Sequence, residues 1–187
     1  PVLDVARVVP LVNKMHEVFF IAPNSLYTWI RHENGTAQMY NAKGSRQGET
    51  AHNVKKVIIT PDSSYTWIID RDGTAQMYDA KGSRHGEPKQ GVKDVVIAPD
   101  SSYYWVIYND RTVQMHSGKD GQWKRGFIEV EKIIIAPDSS YYWIIYDNRA
   151  KLYLIGDNRS IGQSAISVKN IKIASDSSYS WVLSPHG

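Results

Sequence analysis

Cysteine is absent from the 187 residues, which excludes disulfides, thiolate zinc sites, iron–sulfur clusters and cysteine nucleophiles. The compartment stays open, because a core of this size needs no covalent staples. No apolar run approaches the length of a membrane-spanning helix, so membrane insertion is not expected. The start, Pro1-Val2-Leu3-Asp4, has neither an initiator Met nor the charged and apolar regions of a signal peptide, so the numbering is expected to begin after Met removal or processing. A block of one charge is missing too. Twenty-two Lys and Arg face 19 Asp and Glu, and a net charge of +3 without a basic cluster makes nucleic acid an unexpected partner. Helical periodicity is found in no window. What is present, 42% hydrophobic and 22% charged residues, suits one globular domain over 1–187.

The chain repeats itself. Trp29, Trp67, Trp105, Trp143 and Trp181 recur every 38 residues, each preceded at an offset of two by Tyr27, Tyr65, Tyr103, Tyr141 or Tyr179. A turn comes before each Tyr: Pro23-Asn24-Ser25-Leu26, then three copies of Pro-Asp-Ser-Ser beginning at Pro61, Pro99 and Pro137, then Ser175-Asp176-Ser177-Ser178. In the second copy, Val57-Ile58-Ile59 reads as a first strand and Tyr65 to Asp70 as a second, ended by the hairpin signal Asp72-Gly73. Thr74 to Tyr78 reads as a third, and the polar stretch to Gly91 has room for a short outer strand. Three or four antiparallel strands in a 38-residue unit predict a propeller blade, giving an all-β, five-bladed β-propeller. The blades span about 17–54, 55–92, 93–130, 131–168, and 169–187 completed by 1–16. In that last blade Val2 to Ala6 and Val8 to Val12 are expected to supply the third and outer strands, a clasp that protects otherwise open edges.

A Trp within a strand, followed by an Asp-Gly or Asn-Asp turn and a strand such as Thr74 to Tyr78, resembles the tectonin and tachylectin propeller lectins. In the third copy Gln122-Trp123-Lys124 is placed much as a second Trp is in tectonin repeats. Pro-Asp-Ser-Ser followed by Asp-Gly-Thr also resembles WD-repeat proteins, although 38 residues is short for those and no Gly-His or terminal Trp-Asp pair is present. The first resemblance implies sugar binding and the second protein scaffolding.

Bulky side chains are needed to fill the wedge between blades, so the repeated Trp and Tyr are expected in the core. Ile68, Val106, Ile144 and Val182 lie on the opposite face, so the strand is expected to be buried on both sides. Trp123 differs, because Gln47, His85 and Ile161 stand at the equivalent positions, and an aromatic that the repeat does not require is a ligand candidate. In a four-stranded meander the turns after strands one and three share one rim. That rim carries Asp62, Asp100, Asp138 and Asp176 with Lys43, Arg46, Lys81, Arg84, Lys119, Lys124, Arg125 and Arg159. Solvated turns with weak ion pairs are the simplest role for these residues. The alternative is that Lys43-Gly44-Ser45-Arg46 and Lys81-Gly82-Ser83-Arg84 cradle a sulfate, phosphate or carboxylate. The second rim carries His32, Glu33, Asn34, Asp70, Asp72, Tyr108, Asn109, Asp110, Tyr146, Asp147 and Asn148. Asn and Asp form turns, but planar polar groups beside an exposed Tyr are also what a sugar site requires.

Enzyme signatures are missing. The six histidines have no metal-ligand spacing, and no Gly-x-Ser-x-Gly elbow occurs. An enzyme would need two close carboxylates at the ring's axis. Asn34-Gly35-Thr36 and Asn158-Arg159-Ser160 match the glycosylation pattern, which bears only on a secreted protein. The expected function is carbohydrate binding without catalysis or cofactor, through several weak equivalent sites on one face, with glycans or glycoconjugates as partners. The alternative is a scaffold with a protein partner.

Overall fold

A computed structural model describes residues 17–118, 120–155 and 160–184. The expected strands at Val2 to Ala6 and Val8 to Val12, together with His16, Lys119, Asn158, Arg159 and His186, lie outside the described residues. Contacts divide the chain into two compact units, Pro1–Val92 and Lys93–Gly187.

Every regular element among the described residues is a strand. No helix long and apolar enough to cross a membrane occurs among them. In order they are β1 (Val18–Ile21), β2 (Tyr27–Arg31), β3 (Ala37–Asn41), β4 (Arg46–Ala51), β5 (Val54–Ile59), β6 (Tyr65–Asp70), β7 (Ala75–Asp79), β8 (Arg84–Lys89) and β9 (Val92–Ile97). Then come β10 (Tyr103–Tyr108), β11 (Val113–Ser117), β12 (Trp123–Phe127), β13 (Lys132–Ile135), β14 (Tyr141–Tyr146), β15 (Arg149–Leu154), β16 (Ser160–Ile166), β17 (Asn170–Ile173) and β18 (Ser180–Leu183). They form four antiparallel four-stranded meanders, β1–β4, β5–β8, β9–β12 and β13–β16, and a two-stranded sheet, β17–β18. The expected outer strand therefore exists in all four complete sheets. Between the second and third strands the Trp meets a long aliphatic partner in each sheet: Trp29 faces Met39, Trp67 faces Met77 and Trp105 faces Met115, with Leu152 opposite Trp143.

The turn before each Trp strand does two jobs. Its Asn or Asp side chain accepts the amide two residues on, as Asp62 does from Ser64 and Asp138 from Ser140, closing the turn locally. The next residue, Ser25, Ser63, Ser101, Ser139 or Ser177, is held at φ 58 to 62°, a left-handed conformation that costs a serine about 1–2 kcal/mol. In return the hydroxyls of Ser63, Ser139 and Ser177 accept an amide from the preceding sheet's turn. Asn24 donates to Ser63 Oγ, Asp100 to Ser139 Oγ and Asp138 to Ser177 Oγ, at 3.0 to 3.1 Å.

In the first unit Tyr27, Trp29, Met39, Val54, Val57, Ile68 and Tyr78 form one core cluster. Trp29 meets Tyr78 edge-on at 5.3 Å and donates its indole N–H to Thr66 Oγ1 at 3.1 Å. Tyr27 donates its hydroxyl to the Ser63 carbonyl. Gly48, at φ +62, lies so close to Gly82 that any Cβ there would strike the Gly82 carbonyl. That carbonyl accepts the Glu49 amide at 2.9 Å, binding the first sheet's outer strand to the second sheet.

In the second unit the largest cluster joins Trp105, Val113, Met115, Ile133, Tyr142, Ile144 and Tyr153. Trp143 repeats the Trp29 arrangement, donating to Ser180 Oγ at 3.1 Å. Trp105 does not, because Tyr142 stands where Thr66 and Ser180 supply a hydroxyl. Its indole N–H has no hydrogen-bond partner among the described residues, and its ring packs edge-on against Tyr142 at 5.1 Å. Consecutive sheets within a unit are thus joined by an indole hydrogen bond or by an aromatic edge, according to one residue. The expected core holds for Trp29, Trp67 and Trp105, whereas Trp143 is only partly buried and Trp181 is 62% exposed, as are Tyr179 and Val182 in part. The last sheet has two strands among the described residues, and none of those residues supplies a third strand beside β18.

Candidate ligand-binding site

The two ends of each sheet are distinct. At one end the turn after the third strand is tied to the turn after the first, through Ala42 N to Leu26 O, Gly118 N to Ser102 O and Ile155 N to Ser140 O. At the other end the turn after the second strand is tied to the connection between sheets, through Val54 N to Gly35 O, Val130 N to Arg111 O and Val168 N to Asn148 O. The two rims expected from the sequence are therefore present in each unit.

On the first rim the anion cradles are not available. Asn41 Oδ1 accepts the Lys43 and Ser45 amides, and Asp79 Oδ1 accepts those of Lys81 and Ser83. An anion would displace those bonds, and at the second turn it would meet a carboxylate. Arg46 donates its Nε to Gln38 Oε1 at 2.7 Å and an Nη to Thr50, while Arg84 pairs with Glu49 at 3.2 Å. Both guanidinium groups therefore brace outer strands. Gln38 and Gln76 escape sequence reasoning but cap the outer-strand bulges. Each amide donates to outer-strand carbonyls, Gln38 to Gln47 and Gln76 to His85 and Gly86.

Trp123 is 61% exposed and begins β12. Its alignment with Gln47, His85 and Ile161 needs correcting. Those three face Met39, Met77 and Leu152, but Trp123 faces His116. The other sheets absorb two extra residues in an outer-strand bulge, as between Gln47 and Ala51 opposite Met39 and Ala37. The third sheet lengthens the turn before Trp123 by one and slips one place between His116 and Met115. A one-place slip puts Trp123 on the opposite face from His85. It also lies at the first rim, at the opposite end of its sheet from Tyr108.

On the second rim of the second unit two turns are matched. Tyr108 ends β10, is partly buried and donates its hydroxyl to Gln114 Oε1 at 3.1 Å. Burial pushes its pKa up, and the nearby Asp110 charge adds to this. Asn109 and Asp110 are exposed beyond it, and Asp110 Oδ1 accepts the Thr112 hydroxyl and amide at 2.7 and 2.8 Å. Those bonds hold its carboxyl below the usual range, so it is ionised at neutral pH. Tyr146 ends β14 in the same way, with Lys151 Nζ 5.9 Å from its ring. Asp147 and Asn148, at φ 45 and 56°, form the two-residue hairpin turn to Arg149 and are exposed. Each turn offers a partly exposed ring with a carboxylate and an amide beside it.

In the first unit Asp70 and Asp72 are held in and beside their turn. Asp70 Oδ1 accepts the Asp72 and Thr74 amides, and Asp72 accepts Asn53 Nδ2 at 2.7 Å. His32 Nδ1 lies 2.9 Å from Glu17. No group of three His, Asp or Glu that could hold a metal occurs among the described residues.

No family model and no curated protein sequence matches the chain. Among solved structures it is similar to a eukaryotic initiation factor, at 11% identity and TM-score 0.59, over 84% of this chain and 46% of that one. It is also similar to a protein of unknown function from Desulfotomaculum acetoxidans, at 14% identity and TM-score 0.56, over 89% of this chain and 62% of that one. The likeness is one of fold, and the chain spans about half to two thirds of those neighbours' length.

Proposed function

We propose that the chain closes into a five-bladed β-propeller, residues 1–16 completing the blade begun by β17 and β18, and that it binds carbohydrate without catalysis. Four complete antiparallel meanders followed by a two-stranded sheet among the described residues support the ring. The sugar reading rests on the turns Tyr108-Asn109-Asp110 and Tyr146-Asp147-Asn148, which occupy the same end of consecutive sheets. An apolar sugar face would lie on each ring while its hydroxyls pair with the carboxylate or amide alongside. Such sites are shallow and individually weak, so affinity would come from their repetition. Trp123, at the far end of its sheet, would be a separate contact.

A glycan array with sulfated and sialylated sugars, run at low and high salt, tests this reading. The expected result is salt-resistant binding that a free sugar inhibits and that Tyr108→Ala with Tyr146→Ala abolishes in a folded chain. Binding that survives the double substitution would overturn the site. A blank array would favour the second reading, a protein scaffold.

A further inference from the structure

Between the second-rim turns of the first unit lies a cavity of about 330 Å³, lined by Arg31, His32, Glu33, Gly35, Lys55 and Arg71. Two of these residues break the repeat. Arg31 ends β2 where the later copies have Ile69, Ile107 and Ile145, of which Ile69 and Ile145 are buried. Arg71 stands where the others have Glu33, Asn109 and Asp147, whereas Lys55 keeps the lysine found again at Lys93 and Lys169. An arginine in a slot that the fold fills with isoleucine does not serve packing. Backbone bonds fix the walls, Val54 N to Gly35 O at 2.7 Å and Arg71 N to Asn53 O at 2.9 Å, and Arg31 gives one side-chain nitrogen, Nη1, to Lys55 O at 3.0 Å.

The charge is one-sided. Arg31, Lys55 and Arg71 face a single lining carboxylate, Glu33, since Glu17 is taken up by His32. The Arg71 guanidinium and the Lys55 ammonium carry no hydrogen bond or ion pair among the described residues, whereas Arg46 and Arg84 on the first rim are both engaged. Glu33 is exposed at the mouth.

We propose that this cavity is a binding site for an oxyanion, a sulfate, phosphate or carboxylate group, with Arg71 and Arg31 as forked donors and Lys55 as the third cation. If the carbohydrate reading also holds, the oxyanion is the acidic substituent of a sugar.

The test uses the full chain at constant ionic strength, with inorganic sulfate and phosphate titrated against chloride and followed by calorimetry and by amide NMR shifts. Saturable binding is expected, with shifts at residues 31–35, 54–55 and 71, weakened about tenfold or more by Arg71→Ala and by Lys55→Ala. Both substitutions are at exposed positions, so folding is expected to survive, and Glu33→Gln should tighten binding. Absence of saturable binding, or binding unchanged in both cation variants, would overturn the proposal. A sulfated saccharide and its unsulfated parent then separate the two readings. Inorganic sulfate bound at the site with neither saccharide bound upholds the anion site and rejects the carbohydrate function. Equal binding of both saccharides, insensitive to Arg71→Ala, does the reverse.

Discussion

Replacing Gly48 and Gly86 by alanine, separately, probes how tightly the first two sheets are joined. The two glycines are 38 residues apart, both lie in outer strands and both have positive φ, +62 and +67. They differ in surroundings. A Cβ on Gly86 meets nothing within 4 Å, whereas one on Gly48 runs into the Gly82 carbonyl. Gly86→Ala should therefore cost only the left-handed backbone, about 1–2 kcal/mol. Gly48→Ala carries the same backbone cost and also forces the outer strand off the second sheet. The Glu49 amide then loses the Gly82 carbonyl, adding about 1 kcal/mol, and displaced packing brings the total to about 3 kcal/mol. At about 2–4 °C per kcal/mol for a chain of this size, the melting point should fall by about 9 °C for Gly48→Ala and about 4 °C for Gly86→Ala. Circular dichroism with tryptophan fluorescence follows the transition. Equal shifts in the two variants would refute the close approach and with it the account of the joint.

Thr66→Val should cost about 2 kcal/mol in urea unfolding, because it orphans the buried Trp29 indole N–H, and Thr66→Ser should restore most of that; equal losses would reject the hydroxyl's role. Burial pushes Tyr104 and Tyr142 up to about 12. The unfolded chain ionises these phenols near 10, so their stabilisation is complete below pH 10 and is lost as the pH rises through about 12. Ultraviolet titration should show a late tyrosinate step that Tyr104→Phe and Tyr142→Phe diminish. The Asp138 carboxyl is held below the ordinary range by the Ser140 hydroxyl and then its amide, so its contribution is present above the unfolded pKa and lost as the pH falls through the lowered one. Carboxyl NMR should find that Ser140→Ala moves its titration upward.

The repeat made the strands readable, because a turn signal every few residues and an invariant Trp spacing leave little freedom in register. The aromatic pattern identified Trp29, Trp67 and Trp105 as core but overstated Trp181, whose burial depends on neighbours outside β17 and β18 rather than on its own strand. Trp123 was misaligned because sequence spacing counts residues, whereas register depends on whether an extra residue sits in a turn or a bulge. Arg46 and Arg84 looked like ligand groups because their bonds to Gln38, Thr50 and Glu49 are contacts that no spacing rule announces. Arg31 was legible in principle, as the one charged residue in a column otherwise of Ile69, Ile107, Ile145 and Leu183.

A turn amide and a Trp strand reach forward to the serine and hydroxyl of the following copy, as at Asn24, Tyr27 and Trp29, so the cohesive module is not the 38-residue copy. Residues 17–54 expressed alone would leave the Asn24 amide, the Tyr27 hydroxyl and the Trp29 indole without the acceptors that Ser63 and Thr66 provide. A gene that grows by tandem duplication therefore gains a usable joint only when the incoming copy brings its own serine and its own hydroxyl or aromatic ring. Shuffling copies would change which kind of joint forms, making copy order a heritable property of the array.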